Sequence, residues 1–366
     1  MADAASFHVP EVAPIRAGEE FDEPKVEAWL RQQVPGLVGK MQVLQFPGGH
    51  ANLTYLARFG ERELVLRRPP LGPVAPRSHD MRREYRVLSK LSDSFPPAPR
   101  AYALCEDTSV MGAIFIVMER RRGVVVRGVF PEEFERFPDA RRRMSEGLID
   151  AMAAFHDVDY AAIGLAELGH PEGYVARQVS GWYGRWERAK DVELPRFEEL
   201  HDWLVQHTPA SPGASLVHND LKFDNVMLDP EDPGRVVAVL DWDMTTIGDP
   251  LIDLGTLLGY WAQADDPPER GATAAITAQP GFPTRAEITA RYAERRGIDV
   301  HTIPWYEVFA LWKTAVVLQQ IYIRFVRGQT QDARFEALGG RVPVLVGLAA
   351  EVAARARANP IARMEG

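Results

Sequence analysis

The sequence predicts an α+β protein with two lobes, a small and mostly β N-terminal lobe and a larger, mainly helical C-terminal lobe. Short runs of alternating apolar residues dominate the first part of the chain, and turn residues separate them. After residue 128, apolar residues recur instead at helical spacing. With 366 residues the chain can bury two cores. We therefore expect an extended lead-in over 1–21, a first lobe over 22–119 and a helical lobe over 120–366.

Composition narrows the class of protein. Hydrophobic residues make up 46% and charged residues 25%, as in an ordinary soluble globular protein. The formal net charge of −9 argues against a nucleic-acid-binding protein, which usually has a basic face. No apolar run approaches the roughly 18 residues that span a bilayer, and the acidic start does not resemble a signal peptide. Cys105 is the only cysteine, which excludes an intramolecular disulfide and a cysteine zinc cluster. We expect a cytoplasmic protein that binds neither nucleic acid nor membrane.

Local patterns predict the elements of the first lobe. Residues 22–34, "DEPKVEAWLRQQV", predict a helix in which Asp22 is a candidate N-cap and Pro24 suits the first turn. The runs "MQVLQF", "LTYLARF" and "ELVLRR", within 41–68, alternate and predict a meander of three strands. "HDMRREYRVLSKL" (79–91) predicts an amphipathic helix. Two further strand-like runs, "AYALCE" and "AIFIVME", complete the lobe.

The second lobe is predicted to consist of helices around one β segment. "RRRMSEGLIDAMAAFHDV" places Met144, Leu148, Met152 and Phe155 on one helical stripe. A β segment at 226–241 interrupts the helices. Further helices are predicted over 176–190, 196–207, 250–263, 285–297, 305–327 and 333–356, and a long loop over 264–284.

The stretch "LVHNDLKFDN" (216–225) has the highest density of groups that could perform chemistry. It leads into "NVMLDPEDPGRVVAVLD", where two strand-like runs flank the turn residues "PEDPGR", which predicts a β-hairpin. Asn225 and Asp241 lie eight residues either side of Pro233, so we expect them to face one another across the hairpin. Their Cβ atoms would then be about 5 Å apart, a separation at which two oxygen ligands can bind Mg²⁺. Asp243, two positions further along, is a candidate second metal contact.

Three residues of this stretch are candidates for the chemistry itself. Asp220 can orient an attacking hydroxyl and accept its proton, as an aspartate does in phosphoryl transfer. Lys222 can neutralise a transferring phosphate as a point charge. His218 is a better candidate for a hydrogen-bonded brace of the loop than for a base. A polar surface turn is the alternative interpretation, but it leaves the symmetry of these residues about a hairpin unexplained.

Together, "HNDLKFDN", "LDWD" and "IGDPLIDLG" resemble the catalytic and metal-binding segments of the aminoglycoside phosphotransferase and choline kinase-like family. The resemblance covers roughly residues 25–350. It implies a protein-kinase-like fold and a transfer of the γ-phosphoryl group of ATP, or of GTP, to a hydroxyl of a small molecule with Mg²⁺. "GGHANLTY", "VLRRPPLGPV" and "HDMRREYRVL" resemble the branch of kinase domains that are associated with acyl-CoA dehydrogenases.

The resemblance assigns a nucleotide-covering loop to "GGHANLTY". Gly48 and Gly49 would allow close approach of the backbone to a phosphate, and Asn52 or Thr54 could face the phosphates. Because the segment is not a strict G-x-G-x-x-G, an ordinary glycine hairpin is the alternative interpretation.

The resemblance also assigns a phosphate-binding cation and its partner. "LVLRR" corresponds to the strand that carries a lysine in protein kinases, which puts Arg67 at that position, or Arg68 if the register differs by one residue. Glu84 resembles the helix glutamate that pairs with this cation. "FIVMER" resembles the hinge that binds the adenine edge, and its candidate residues are Met118, Glu119 and Arg120.

An ATP- and Mg²⁺-dependent small-molecule kinase is the leading hypothesis. A nucleotide-binding pseudokinase that acts as an interaction module is the alternative, and Arg67 with the irregular glycine loop supports it. A metal-dependent hydrolase is a third interpretation, which lacks H-E-x-x-H, G-x-S-x-G and G-x-x-x-x-G-K-[ST] sequences.

The sequence identifies neither the acceptor molecule nor the oligomeric state. A CoA-linked hydroxyl would use basic residues, which 119–127 and 140–144 could provide. An aminoglycoside is a polycation and would need carboxylates, for which the candidates are Asp249, Asp253, Asp265, Asp266 and Glu269. Of these, we expect Asp249 and Asp253 to brace the catalytic loop instead.

Overall fold

The structure, a computed structural model, describes residues 11–47, 52–70, 79–271, 275–330 and 332–358. Its elements confirm the α+β class, with an antiparallel sheet early in the chain and helices in most of the remainder. Two compact units result, Met1–Arg122 with Val237–Thr245 and Gly123–Val236 with Thr246–Gly366. The sequence predicts a division after residue 119 and assigns 237–245 to the second lobe, whereas this segment belongs to the first unit.

A five-stranded antiparallel sheet forms the framework of the first unit. Tyr55, Leu66 and Val117 are partners on adjacent strands and are fully buried in one core on the same face of it. The helix α1 (Glu23–Gln33) contributes Val26 and Leu30 to the same core. The strands are β1 (Met41–Gln45), β2 (Leu53–Phe59), β3 (Arg62–Arg68), β4 (Ala101–Cys105) and β5 (Phe115–Glu119), in the order β1-β2-β3-β5-β4.

The caps of two helices set where the chain enters and leaves this sheet. Asp22 caps α1 by accepting a hydrogen bond from the Lys25 N–H at 3.2 Å, as predicted. Asp80 caps α2 (Met81–Leu91) in the same way. The buried face of α2 includes Glu84, which is thereby carried into the interior. A short helix, α3 (Thr108–Met111), connects β4 to β5.

The second unit is mainly helical. Its longest helix is α10 (Ile303–Val326), which packs against α5, α6, α7 and α11 and is buried along much of its length. The other helices are α4 (Ala140–His156), α5 (Tyr174–Ala189), α6 (Pro195–Gln206), α7 (Leu251–Tyr260), α8 (Pro268–Gly271), α9 (Arg285–Arg296) and α11 (Leu338–Ala358). The strands are β6 (Ser215–Val217), β7 (Val226–Asp229), β8 (Asp232–Val239) and β9 (Thr246–Gly248); β6 pairs antiparallel with β9, and β7 pairs with β8.

The segment Ala333–Ala358 is long and apolar enough to cross a membrane by length and composition alone. The sequence predicts a helix over 333–356, which largely corresponds to α11. Its side chains Val342, Leu345, Val346 and Ala349 are buried, and α11 packs along α10. One side of α11 is therefore buried within the second unit.

The hairpin of β7 and β8 turns at Pro230 and Glu231, three positions earlier than the sequence predicts. Pro233 belongs to β8 and is not at the centre of the turn. The expected cross-strand pairing of Asn225 with Asp241 is therefore wrong. Asn225 ends a 3₁₀ turn before β7, and Asp241 follows β8 with a left-handed backbone. The dense turn residues identify a hairpin, but they do not identify which two residues form its turn.

A substitution of Gly255 on α7 tests how closely α7 packs against α10. A Cβ atom at this position would lie 2.5 Å from the Tyr306 Cβ and 2.7 Å from its carbonyl carbon. We expect Gly255→Ala to lower the free energy of unfolding by about 1–3 kcal/mol, because backbone atoms must shift. Gly347→Ala on α11 is the matched control, since its Cβ meets nothing within 4 Å; it should gain up to about 1 kcal/mol from helix propensity. Urea denaturation measures both, and equal effects would contradict the close approach.

Candidate functional site

Arg67 is the centre of a charged cluster in the first unit. It lies near the end of β3, where Thr54 of β2 is its partner in the sheet. Its Nη1 donates to Glu84 Oε1 at 3.0 Å, and its Nη2 donates to Asp241 Oδ1. Asp241 has a φ of 67°, a region that aspartate tolerates better than most residues. One guanidinium therefore holds β3, α2 and the segment after β8 together, with the arginine–glutamate pair that the resemblance implies.

Burial determines the electrostatics of this cluster. Burial raises the pKa of Glu84 to about 7 even though the Arg67 charge acts in the opposite direction, and Asp241 and Asp243 add to the increase. Burial alone would lower the pKa of Arg67, but Glu84 and Asp241 raise it overall, so the guanidinium stays charged. The cluster thus combines one permanent cation with three carboxylates.

Asn52 and His79 extend the cluster. With its amide oxygen toward Arg67, Asn52 accepts from Arg67 Nη2 at 2.5 Å and donates to His79 Nδ1 at 3.1 Å. His79 Nδ1 also lies 3.7 Å from Asp243 Oδ2. Asn52, predicted to face phosphates, is buried and orients Arg67. The two-residue spacing of Asp241 and Asp243 would place both side chains on one side of a strand, but Trp242–Met244 forms a 3₁₀ turn in which strand alternation does not apply.

Arg68 belongs to the core of the first unit. It is 2% exposed, and its guanidinium donates to the Tyr55 hydroxyl at 2.8 Å and to the Met111 carbonyl at 2.6 Å. Of the two arginines, Arg67 is the one that pairs with Glu84.

The other predicted nucleotide contacts lie in different environments. Gly48 and Gly49 are outside the described residues. Thr54 is half-buried on β2, and Met118 is buried within β5. The Glu119 N–H donates to the Arg100 carbonyl at 2.8 Å, so this donor is already used within the fold. The proposed adenine contact of this segment therefore depends on the remaining backbone groups of Glu119, whose side chain is half-buried, and of Arg120, whose side chain is buried.

In the second unit, Asp253 on α7 holds the loop that follows β6. Its Oδ2 accepts from the His218 N–H and its Oδ1 from the Asn219 N–H, both at 2.6 Å. Asp253 and His218 are fully buried. The prediction that Asp253 braces the loop is confirmed, and the buried position of His218 agrees with a brace. Asn219 has a φ of 68°, so two bonded N–H groups fix a bend directly before Asp220.

A second layer fixes Asp253 itself. His156 Nε2 lies 3.1 Å from Asp253 Oδ2, and His156 Nδ1 lies 2.6 Å from the Tyr292 hydroxyl. Burial alone would raise the pKa of Asp253, but hydrogen bonds and charge from His156, together with His218, lower it overall. Asp249, also predicted to brace the loop, instead accepts from the Leu251 N–H and the Tyr306 hydroxyl. That prediction is wrong for Asp249, because its bonds go to the start of α7 and to α10.

The loop brings Asp220, Lys222 and Asn225 together. Lys222 Nζ lies 2.5 Å from both carboxylate oxygens of Asp220, and Asn225 Nδ2 donates to Asp220 Oδ2 at 2.8 Å. Burial alone would lower the pKa of Lys222, but Asp220 and Tyr260 raise it overall. The Asp220 side chain is 28% exposed. This arrangement presents a carboxylate to solvent with a cation and an amide on either side of it.

Sequence reasoning missed four residues that support this loop from helices: His156, Tyr174, Tyr292 and Lys313. The Tyr174 hydroxyl donates to Asn219 Oδ1 at 2.9 Å, and Lys313 Nζ donates to the Asn219 carbonyl at 3.3 Å. They lie 45 and 94 positions from Asn219, so no local pattern could connect them. The available signal was a lysine within the apolar run "FALWKTAVV".

Each unit offers oxygen atoms of the kind that magnesium prefers. Within the described ranges, no group of three His, Cys, Asp or Glu residues could hold a metal by itself. Mg²⁺ commonly takes one or two carboxylates and completes its shell with water and phosphates. In the first unit, Asp241 and Asp243 offer carboxylate oxygens. In the second unit, Asp220 binds the amide nitrogen of Asn225, which leaves the amide oxygen as a ligand.

A model of a phosphotransferase enzyme family matches residues 42–288. Acyl-CoA dehydrogenase family member 10 of Mus musculus is 32% identical over 338 residues, which are 90% of this chain. The matched region is 31% of that relative, so this chain spans about a third of its length.

Solved structures agree with these sequence matches. A putative aminoglycoside phosphotransferase from Ralstonia eutropha JMP134 is 33% identical with a TM-score of 0.78, and the match covers 92% of this chain and 99% of that chain. The aminoglycoside phosphotransferase APH(4)-Ia, in a ternary complex with ADP and hygromycin B, has a TM-score of 0.55 at 18% identity, with 88% and 98% covered. The latter shares the fold.

Asp253→Asn tests the brace of the loop. The amide nitrogen cannot accept a hydrogen bond, so one buried N–H loses its acceptor and His156 loses its charged partner. We expect the free energy of unfolding to fall by about 3 kcal/mol or more. Asp299→Asn, an exposed aspartate of the same unit, is the control and should change it by less than about 0.5 kcal/mol. Similar stabilities of the two variants in urea denaturation would contradict the brace.

Glu84→Gln tests the buried carboxylate through pH. In the folded state Glu84 has a pKa of about 7, above its ordinary value of 4.5, so the folded chain retains a proton that the unfolded chain releases in this window. The stability that Glu84 contributes is therefore present below pH 4.5 and is lost as pH rises toward 7.

Relative to Glu84→Gln, the wild type should lose about 3 kcal/mol across that window, at about 1.4 kcal/mol for each unit of pKa. Denaturant unfolding of both proteins, free of metal, at four pH values between 4.5 and 8 measures the difference. A difference that is constant with pH would show that Glu84 is ionised throughout.

Proposed function

The chain belongs to the phosphotransferase enzyme family and is a small-molecule kinase-type enzyme, and we propose that it moves the γ-phosphoryl group of ATP to a hydroxyl of its acceptor, with Mg²⁺. The observation that carries this proposal is the loop of the second unit. Asp253 accepts from two consecutive backbone N–H groups, and the next residue is Asp220, whose carboxylate is partly exposed. GTP is the alternative donor.

Asp220 is the residue proposed to act on the acceptor. Its carboxylate accepts the proton of the hydroxyl and orients the oxygen toward phosphorus. The acceptor oxygen forms the new bond to phosphorus, the bond from phosphorus to the bridging oxygen of ADP breaks, and the proton goes to Asp220. Lys222, already 2.5 Å from Asp220, neutralises charge on the transferred group.

The residues proposed for the metal and the nucleotide differ in chemistry. When bound, Mg²⁺ supplies positive charge at the phosphate oxygens. Asp241, Asp243 and Asn225 are the proposed ligands, since they offer hard oxygen atoms. Arg67 is the proposed phosphate contact, and its pairing with Glu84 at 3.0 Å fixes the direction of its guanidinium. The ADP in the complex of APH(4)-Ia supports a nucleotide as donor.

The pseudokinase alternative loses its main support. It relied on an arginine in place of the strand lysine. Arg67 nevertheless pairs with Glu84, and Asp220, Lys222 and Asn225 are all present in one braced loop. An interaction module would not need the exposed carboxylate to be held this tightly.

Two acceptor classes are proposed, a hydroxyacyl-CoA-like and an aminoglycoside-like molecule. The relative named as an acyl-CoA dehydrogenase family member supports the first, and hygromycin B in the complex of APH(4)-Ia supports the second. Of the carboxylates suggested for a polycation, Asp249 and Asp253 bind within the fold, and Asp266 pairs with Arg285. The basic runs are similarly engaged: Arg122 pairs with Glu63, Arg142 with Glu287 and Arg143 with Asp232.

Asp220→Asn tests the proposed chemistry. The amide cannot take the hydroxyl proton, so we expect transfer to fall by a factor of roughly 10² or more, while the affinity for nucleotide stays within about threefold. Release of ADP measures turnover, and equilibrium binding measures affinity. Asp229→Asn, a half-buried aspartate of β7, is the matched control. Full activity of the Asp220 variant would refute the assignment.

Removal of magnesium tests the metal. With EDTA in excess, ADP release should stop and the increase in melting temperature caused by ATP should shrink, because phosphate charge is no longer neutralised. Added Mg²⁺ should restore both, and Asp241→Asn should require a higher Mg²⁺ concentration. Equal ATP stabilisation with and without metal would contradict the proposal.

A further inference from the structure

Lys313 is a buried lysine for which the proposed chemistry has no role. It lies on α10, 9% exposed, between the fully buried Trp312 and Ala315. Its Nζ donates to the Asn219 carbonyl at 3.3 Å, the residue directly before Asp220. This is the one hydrogen bond that its ammonium makes with the described residues, although an ammonium has three donors.

In the described part of the chain, no carboxylate oxygen lies within 4.0 Å of Lys313 Nζ. Burial lowers the pKa of this amine, while the more distant charges of Asp220 and Asp253 act in the opposite direction. A buried cation without an adjacent anion costs free energy that a methionine of similar size would not. The charged form of this amine therefore lacks an adjacent anion to stabilise it, and an external anion could take that role.

A second cation lies beside the first. Lys313 Nζ is 5.4 Å from the centre of the Trp182 ring, and Arg185 Cζ is 4.1 Å from the centre of the same ring. Among the residues that the structure covers, Arg185 has no carboxylate partner either. By contrast, Lys190, at the end of the same helix α5, pairs with both Glu187 and Glu193 at 3.1 Å. Lys222 is likewise paired, with Asp220.

We propose that the acceptor carries an anionic group, a carboxylate or a phosphate, beside the hydroxyl that is phosphorylated, and that Lys313 and Arg185 bind this group. The proposal rests on the proposed function, because it takes Asp220 as the residue that addresses the hydroxyl. Lys313 Nζ binds the carbonyl of Asn219, and the hydroxyl-binding carboxylate belongs to the next residue, Asp220. An acceptor with an anion near its hydroxyl can therefore contact both, whereas a polycation meets repulsion from two unpaired positive charges.

Four small probes that differ in charge test this proposal by binding to the full chain. They are 3-hydroxybutyrate, 3-hydroxypropyl phosphate, 1,3-butanediol and 3-amino-1-butanol. Ligand-observed NMR should give at least a tenfold lower Kd for one of the two anions than for the diol, and the amine should bind most weakly. The two anionic probes distinguish a carboxylate from a phosphate. Equal affinity for all four, or no binding of either anion, would overturn the proposal.

Variants of Lys313 separate binding from support of the loop. Lys313→Met should reduce anion affinity to that of the diol, and Lys313→Arg should retain at least part of it. Lys190→Met is the matched control and should leave anion affinity unchanged. If Lys313 only supported the Asn219 carbonyl, Lys313→Met would lower the melting temperature and weaken all four probes equally. We expect its melting temperature to stay within about 2 °C of the wild type or to rise.

The proposed function and this inference fail in different ways. If anions bind in a way that depends on Lys313 but no hydroxyl is phosphorylated with Mg²⁺, the proposed anion site stands and the proposed kinase activity is refuted. If Asp220→Asn abolishes ATP-dependent transfer but the wild type shows no preference for anionic acceptors, the proposed kinase activity stands and the proposed anion site is refuted.

Discussion

The carboxylate of Asp253 is the constraint on which the proposed catalytic loop depends. It is fully buried, and it accepts from the backbone N–H groups of His218 and Asn219. Two consecutive bonds to one carboxylate fix both position and orientation, which a single bond would not. Asn219 has a left-handed backbone, which asparagine adopts more readily than most residues, and the two bonds hold the chain in this bend. Asp220 is presented to solvent because the two residues before it cannot move.

The same arrangement explains why the supporting residues lie far away in sequence. His156 on α4 and Tyr292 on α9 fix Asp253, and Tyr174 on α5 and Lys313 on α10 bind Asn219. The loop is therefore sensitive to the packing of four helices, of which α5 and α10 also carry the proposed anion-binding residues. A substitution that loosens α10 should affect the loop before it affects the remainder of the second unit.

The local patterns were sufficient for most elements, because strand alternation and helical periodicity are properties of short segments. The Asp22 cap and the buried stripe of Met144, Leu148, Met152 and Phe155 are examples. The position of the hairpin turn was not predictable, since Asp-Pro-Gly at 232–234 has turn chemistry but lies in β8. Side chains that bond over 34–97 positions, such as His156 and Asp253, leave no local signal at all. The candidate site was therefore predicted for residues within one loop and missed where helices support it.

The arginine at position 67 has a consequence for chemical labelling. Acylating reagents react with free amines, and a guanidinium that stays charged at all accessible pH values is inert to them. An electrophilic nucleotide analogue designed to trap a strand lysine would therefore find no nucleophile at Arg67 in this chain. The amine of Lys313 has a pKa lowered by burial and thus a larger neutral fraction than a surface lysine. Covalent probes for this protein are better built from the acceptor end than from the nucleotide end.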